Sequence, residues 1–373
     1  MLLVSEVVAW WQEFRNVDFG LRGPQSAFRN PQWVAGEARA VRKLSSILAV
    51  LATLAPATPV RAHHGVAAVS IAGPEGPGAG LETTSALPLP QGLLFGMLKT
   101  EYVPFRKFGF AEPENKSYSS FNMVAVGYGI RPWLSVYVFQ PYNLKAQDEI
   151  GQDANPGDTN LMLSVGFKYD EGLKLVPEKE SLDELMDWHF SVWVSSTLPV
   201  GPTTAKDNQG EYFAPDMQTG FGEPSPAVGA AVLKQLSEDF TFLADTNYQH
   251  FFPHTYPFTR YQFGGETRLN GALVYRAYGS GRFRFDVAAE LNGLHLRRDR
   301  ERDASGAMES LRASGGVILY AGLGLRAIYG PTSVGFGIRK AALKDLNEQA
   351  DQQGSEGLEE FRAAFTVSGS IRF

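Results

Sequence analysis

The chain contains no cysteine, which excludes a disulfide framework, a thiolate metal site and a cysteine nucleophile together. It also lacks a basic excess. Thirty-four lysines and arginines face 40 acids, a formal charge of -6, and no basic stripe with interleaved aromatics marks a nucleic-acid partner. Beyond the N-terminal region no apolar run reaches the roughly 18 to 20 residues of a spanning helix. There is no phosphate loop, paired-carboxylate motif or zinc spacing, so no cofactor is expected. What is present is 373 residues, 44% apolar and 12% aromatic, with 39 glycines. Such a chain is too apolar to be disordered. Its glycines and aromatics fall in short alternating segments, which leaves one membrane class open, the β-barrel.

Arg39, Arg42 and Lys43 precede an apolar run from Leu44 to Leu54, followed by Pro56, Pro59 and Val60-Arg61-Ala62. A basic region, a short apolar core and small residues at the cleavage positions make a secretory signal. Cleavage after Ala62 would leave His63-His64-Gly65 as the new start. About 40 residues precede the basic region, which is more than a signal needs, so residues 1–40 read as a gene-model extension and 41–62 as the signal peptide. Seven basic and four acidic residues lie in the first 62, leaving 27 against 36. Residues 63–91 follow as a proline- and glycine-rich periplasmic segment, extended and poorly packed, with a plug of the lumen as one role for it.

From residue 92 to 373 the dominant period is two. Phe361, Ala363, Phe365, Val367, Gly369, Ile371 and Phe373 take one face of the last segment. Arg362, Ala364, Thr366, Ser368, Ser370 and Arg372 take the other. The same alternation runs through Leu161–Tyr169, His189–Leu198, Phe242–Gln249, Arg284–Asn292 and Leu319–Arg326. Weaker patterns near Leu94, Val124, Val136, Val228, Leu269 and Val334 bring the count to twelve. Apolar residues facing lipid and polar ones facing a lumen explain the pattern, because a closed barrel leaves no unpaired backbone in hydrocarbon.

The connections alternate as well. Tight turns are expected at Gly129–Pro132, Ser237–Asp239, Tyr278–Arg282 and Gly330–Thr332. Longer loops are expected at 104–116, 143–156, 201–219, 251–263, 297–313 and 341–357. Short periplasmic turns and long extracellular loops alternate in this way. The exception is Asp170–Asp187, where Leu182–Met186 is expected to form a short helix. An even strand number returns both ends to the periplasmic side. Tyr128, Trp133, Tyr169, Trp188, Phe240, Tyr275, Phe283, Tyr329 and Phe373 gather at that rim as an interfacial girdle. The fold class expected is an all-β, 12-stranded antiparallel outer-membrane barrel.

On the last five strands the alternation turns Glu266, Arg268, Arg284, Asp286, Glu290, Arg326, Arg339, Arg362 and Arg372 inward. Of these, Arg268, Arg284, Asp286, Glu290, Arg326, Arg339 and Arg362 are the candidate lumen residues. An arginine wall would attract carboxylates or phosphates through guanidinium forks; the alternative is that arginines and acids pair across strands and fill a narrow lumen. His189-Phe190-Ser191 resembles the His and Ser two residues apart in outer-membrane phospholipases. The glycine and asparagine that should follow the serine are missing, so no catalytic residue is assigned. His250 and His254 lie among aromatics on an extracellular loop that either collects a hydrophobic ligand or caps the rim. His63 and His64 are weak metal candidates with no third ligand in view.

The terminal row Phe365, Val367, Gly369, Ile371 and Phe373 resembles the β-signal that the outer-membrane assembly machinery reads. Three further stretches resemble a family of outer-membrane proteins named for the meta-cleavage pathway of phenol degradation. They are Gly157-Asp158 with Leu163–Tyr169, then Ser196–Gly201, then Gly220–Gly229, roughly the middle third of the chain. The resemblance implies a transport barrel for aromatic or other small hydrophobic compounds. The reading that emerges is a monomeric outer-membrane channel for small molecules, in contact with lipid and the assembly machinery, with no enzymatic step and no nucleic acid. An anion-selective porin using the arginine wall and an outer-membrane hydrolase are the alternatives.

Overall fold

A computed structural model describes residues 80–107, 115–178, 186–303, 305–312, 314–347 and 359–372. The cleavage site, His63, His64, nearly all of the Leu182–Met186 helix and Phe373 lie outside the described residues.

Twelve long strands build the wall: β1 (Leu93–Pro104), β2 (Lys116–Arg131), β3 (Leu134–Gln147), β4 (Thr159–Tyr169), β5 (Trp188–Leu198), β6 (Pro226–Gln235), β7 (Phe240–Gln249), β8 (Glu266–Ser280), β9 (Phe283–Leu296), β10 (Gly316–Tyr329), β11 (Thr332–Leu346) and β12 (Arg362–Arg372). Each pairs antiparallel with its neighbours in sequence. The ladder from Leu93↔Arg372 to Tyr102↔Ala363 joins β1 to β12 and closes the sheet on itself. Closure removes every free edge along the wall, the condition for crossing hydrocarbon with strands.

The period-two reading carries over to burial. On β12 Arg362, Ala364, Thr366 and Ser370 are buried, while Phe365, Val367 and Ile371 are exposed. On β4 Met162, Ser164 and Lys168 are buried and Leu161 and Leu163 exposed. Exposed Leu98, Val124, Val138, Val194, Leu273, Leu291, Leu323 and Phe336 continue the outward rows around the wall. An apolar surface of this extent calls for lipid. The short turns fall where expected, and Gly281 and Gly330 occupy two of them at φ 57° and 53°. That left-handed conformation costs other residues a clash at Cβ. Exposed Tyr128, Tyr169, Trp188, Phe240, Tyr275 and Tyr329 flank the turns, and Phe240 stacks on Tyr275 at 4.9 Å.

The long connections are more ordered than their composition indicates. The segment expected as a loop at 143–156 is strand on both sides: β3 runs on to Gln147, and Gly151–Pro156 pairs back onto it. Likewise β11 continues to Leu346, into the segment read as a loop from Ala341. Connections 251–263 and 297–313 contribute His254–Thr255, Arg260–Gln262, Arg300–Arg302 and Met308–Ser310 to a separate four-stranded sheet. Strands of two or three residues, set among prolines and aromatics in 251–263 and charges in 297–313, are too short to show an alternation.

Candidate functional site

The proline-rich segment before β1 is not poorly packed where it is described. Residues 80–90 cross the inside of the barrel as a strap, with Leu81, Glu82, Thr83, Thr84, Ser85, Ala86 and Leu89 buried. Such a stretch can lie in a protein interior only if its amides find acceptors. The wall supplies them. Glu290 on β9 accepts from the backbone N–H groups of Leu81, Glu82 (3.1 Å) and Thr83 (3.1 Å) and from the Thr83 hydroxyl (3.1 Å). Asp245 on β7 accepts from Thr84 N–H at 2.7 Å, and Ser135 Oγ on β3 from Leu89 N–H at 2.8 Å. In the other direction Arg326 donates to the Gly80 carbonyl at 2.9 Å.

Shape matches this bonding. Inward glycines make the seat: a Cβ on Gly335 or Gly337 would come within 2.7 or 2.5 Å of Leu81 side-chain carbons, and one on Gly166 within 2.7 Å of Pro88 Cδ. At Gly129 a Cβ would overlap the Pro90 carbonyl and stand 2.6 Å from that of Leu89, so backbone itself blocks the position. Two apolar clusters inside the barrel centre on the strap. Leu89 packs with Phe95, Met97, Met123, Tyr137, Phe139 and Met162, and Ala86 packs with Leu233, Leu243, Val274 and Ala288. Burying a leucine such as Leu89 or Leu81 contributes about 1.5 to 3 kcal/mol.

The candidate lumen residues all face inward, but the arginines form no bare wall. Arg268 pairs with Glu266 at 2.7 Å and Arg284 with Asp286 at 3.0 Å. Arg339 lies 3.1 Å from Glu101 and 3.4 Å from Glu82 of the strap; Arg362 lies 3.0 Å from Glu101 and also pairs with Glu359. Lys99 completes the cluster, 2.7 Å from Glu82 and 3.8 Å from Glu101. The Tyr320 ring lies under both guanidiniums, at 5.3 and 5.4 Å, and its hydroxyl donates to Glu359 at 3.2 Å. Arg372 sits exposed at the rim. Lys99, Glu101, Asp245, Glu359 and Glu82 were missed among the candidates. An alternation count over the first strands would have turned Lys99 and Glu101 inward together, two residues apart on β1.

Of the remaining candidates, His189 and Ser191 are buried and inward, and His189 Nδ1 lies 3.1 Å from the Asp187 carbonyl. His254 faces Glu223 at 3.4 Å and packs edge-on against Tyr256 at 4.9 Å. The loop aromatics pack on each other: Phe221, Phe251, Tyr256, Tyr261 and Phe263 form one cluster. No group of metal-ligating side chains occurs among the described residues. Near the long-loop end a cavity of about 40 Å³ is lined by Phe121, Phe139, Asn143, Lys145, Asp158 and Thr219, among others. That is room for one or two waters. Asp158 there accepts from Gly201 and Phe221 N–H, both at 2.8 Å, while burial pushes its carboxyl above the usual carboxylate range.

A closed antiparallel wall with lipid-facing apolar rows and an ionic interior defines the chain as a twelve-stranded outer-membrane barrel. Comparison with solved structures agrees on that class. The chain is similar to an outer membrane channel from Pseudomonas putida F1, with a TM-score of 0.57 and 11% identity over 77% of this chain and 98% of that one. Lower scores link it to the NanC porin (0.40, 9% identity, 74% and 100% covered) and to a mutant of the TodX monoaromatic hydrocarbon channel (0.37, 12%, 76% and 91%). No family profile and no curated protein matches the sequence. The meta-cleavage family name finds no support among these likenesses; the barrel class does.

Proposed function

We propose that the chain is an outer-membrane channel for small molecules, closed at rest by residues 80–90. The observation that carries this reading is the glycine-floored, acid-lined seat in which the strap lies across the bore. A lumen kept free of bulk at Gly129, Gly166, Gly335 and Gly337 is occupied by a segment that only side chains and backbone polar groups hold there. The strap joins β1 at the short-turn end, which the reading places on the periplasmic side with the long loops outside. The outward rows then face outer-membrane lipid, the row ending at Ile371 and Phe373 serves the assembly machinery, and a wall closed on itself works as a monomer. The apolar inner rows on β1–β3 favour solutes with apolar bodies, in keeping with hydrophobic or aromatic compounds. An open anion porin is disfavoured by the pairing of Arg268, Arg284, Arg339 and Arg362. No enzymatic step is assigned to His189, whose ring is held against the Asp187 carbonyl.

Single-channel recording tests the reading. Protein lacking residues 80–90 should show sustained current steps in a planar bilayer where the full protein is mostly silent. Silence from both, with heat-modifiable folded barrel in each sample, would overturn it.

A further inference from the structure

Glu82 sends its carboxylate from the strap into a cluster of wall cations. Lys99 Nζ stands 2.7 Å from Oε1 and Arg339 Nη2 3.4 Å from Oε2. All three side chains are nine-tenths or more buried. Among the described residues, Glu82 joins Glu101 and Glu359 in facing Lys99, Arg339 and Arg362, and it is the one of these carboxylates that the strap brings. Withdrawing the strap takes that carboxylate away from Lys99 and Arg339 at a buried place.

The fit of Glu82 is incomplete. Its Oε2 has no hydrogen-bond partner among the described residues. Beside it lies a cavity of about 20 Å³ whose lining includes Glu82, Asn292, Arg339 and Arg362, together with the Glu290 carboxylate that holds the strap amides. Asn292 is 3% exposed, and neither its amide nitrogen nor its amide oxygen finds a partner there. A buried amide left unsatisfied costs the full desolvation of its polar atoms. Cations, an unused amide and a borrowed carboxylate together describe a binding site with a stand-in ligand.

We propose that Lys99, Arg339 and Asn292 form a carboxylate-binding site in the channel wall, and that Glu82 occupies it until a carboxylic acid with an apolar body takes its place and releases the strap. The inference rests on the channel reading above and names the solute class that opens it. The apolar body follows from β1 itself. Phe95 and Met97 precede Lys99 on the same inward row, buried now against Leu89. A strap that leaves bares that row next to the cation. An amphiphilic acid covers both, whereas a neutral aromatic covers only one.

Because the chain has no cysteine, a single Ser85→Cys substitution gives a unique thiol on the strap. Ser85 is 5% exposed, so its reaction with a water-soluble maleimide reads strap release directly. In full-length protein otherwise unaltered, millimolar benzoate should raise the labelling rate, and benzyl alcohol at the same concentration should leave it unchanged. A solute that binds only the released state has its apparent affinity lowered by the released fraction. Glu82→Gln should therefore shift half-saturation by benzoate to roughly tenfold lower concentration if it raises that fraction tenfold. Arg339→Gln should abolish the response. Equal acceleration by benzoate and benzyl alcohol, or none by benzoate, would overturn the proposal while leaving intact a channel that conducts once residues 80–90 are removed. Should the charge variants fail to fold, the benzoate and benzyl alcohol titrations on the Ser85→Cys protein decide alone.

Discussion

Glu290→Leu is expected to turn a silent barrel into a conducting one without unfolding it. Glu290 receives three consecutive strap amides and the Thr83 hydroxyl, whereas its own backbone lies in ladders to β8 and β10 that the substitution does not touch. Leucine removes every one of those acceptors. Each amide then left buried without a partner costs about 1 to 3 kcal/mol. Three such losses reach the roughly 5.5 kcal/mol that moves a two-state equilibrium from 1:99 to 99:1 when each is worth about 1.8 kcal/mol or more. The strap recovers its hydrogen bonds by leaving for water. Persistent current steps, and rapid labelling of a Ser85→Cys thiol in the same variant, are the expected results. A variant that stays silent with the thiol protected would show that apolar packing at Leu81, Ala86 and Leu89 is sufficient to hold the strap.

Stability, not conduction, should respond most to Arg362→Gln. This guanidinium bridges Glu101 at 3.0 Å and Glu359, with side chains no more than 8% exposed. Taking it away removes a buried cation that two carboxylates share, leaving Glu101 with Arg339 and Lys99 and Glu359 with the Tyr320 hydroxyl; breaking a buried pair on one side costs about 3 to 5 kcal/mol. Lys107→Gln is the control. Its pair with Asp148 spans 2.5 Å, but the lysine side chain is 58% exposed, and exposed pairs contribute about 0 to 1 kcal/mol. The temperature at which the barrel converts to its unfolded electrophoretic form should fall by many degrees for Arg362→Gln. It should barely move for Lys107→Gln. Equal shifts would mean that water reaches the Arg362 cluster.

These expectations depend on features that differ in how far the sequence discloses them. Period two identifies β4, β5, β7, β9, β10 and β12 because lipid lies on one side of each and mostly polar groups on the other. The same count is weak on β1, β2, β3, β6, β8 and β11, and the strap is the cause on those that pack against it. Phe95, Met97, Phe139, Leu233 and Val274 face the lumen and are apolar because they pack on Leu89 or Ala86 or beside them. A strand buried against hydrocarbon outside and a leucine inside reads as uniformly apolar. The inward direction of Arg268, Arg284, Asp286, Glu290, Arg326, Arg339 and Arg362 was legible from alternation alone. Their partners were not, since Glu101 and Glu359 come from opposite ends of the barrel sequence and Glu82 from a segment whose prolines and glycines suggest a linker. Composition describes what a segment can do by itself. It is silent on Glu290 and Asp245 waiting across the bore with acceptors for its amides.

The ladder between β1 and β12 has a bearing on how the molecule is made. It unites the first and last strands of the wall, the pairing of greatest sequence separation in the fold and hence the slowest to find by diffusion of the chain. The strap runs directly into β1, with Gly92 N–H bonded to the Gly129 carbonyl at the point of entry. The strand that zips the cylinder shut therefore tows the strap with it. A nascent barrel whose β1 and β12 still gape offers the strap a side entrance, and closing that seam leaves only the two mouths. The order of events during insertion, seam before strap or strap before seam, then determines whether a newly made barrel ever stands open to the medium.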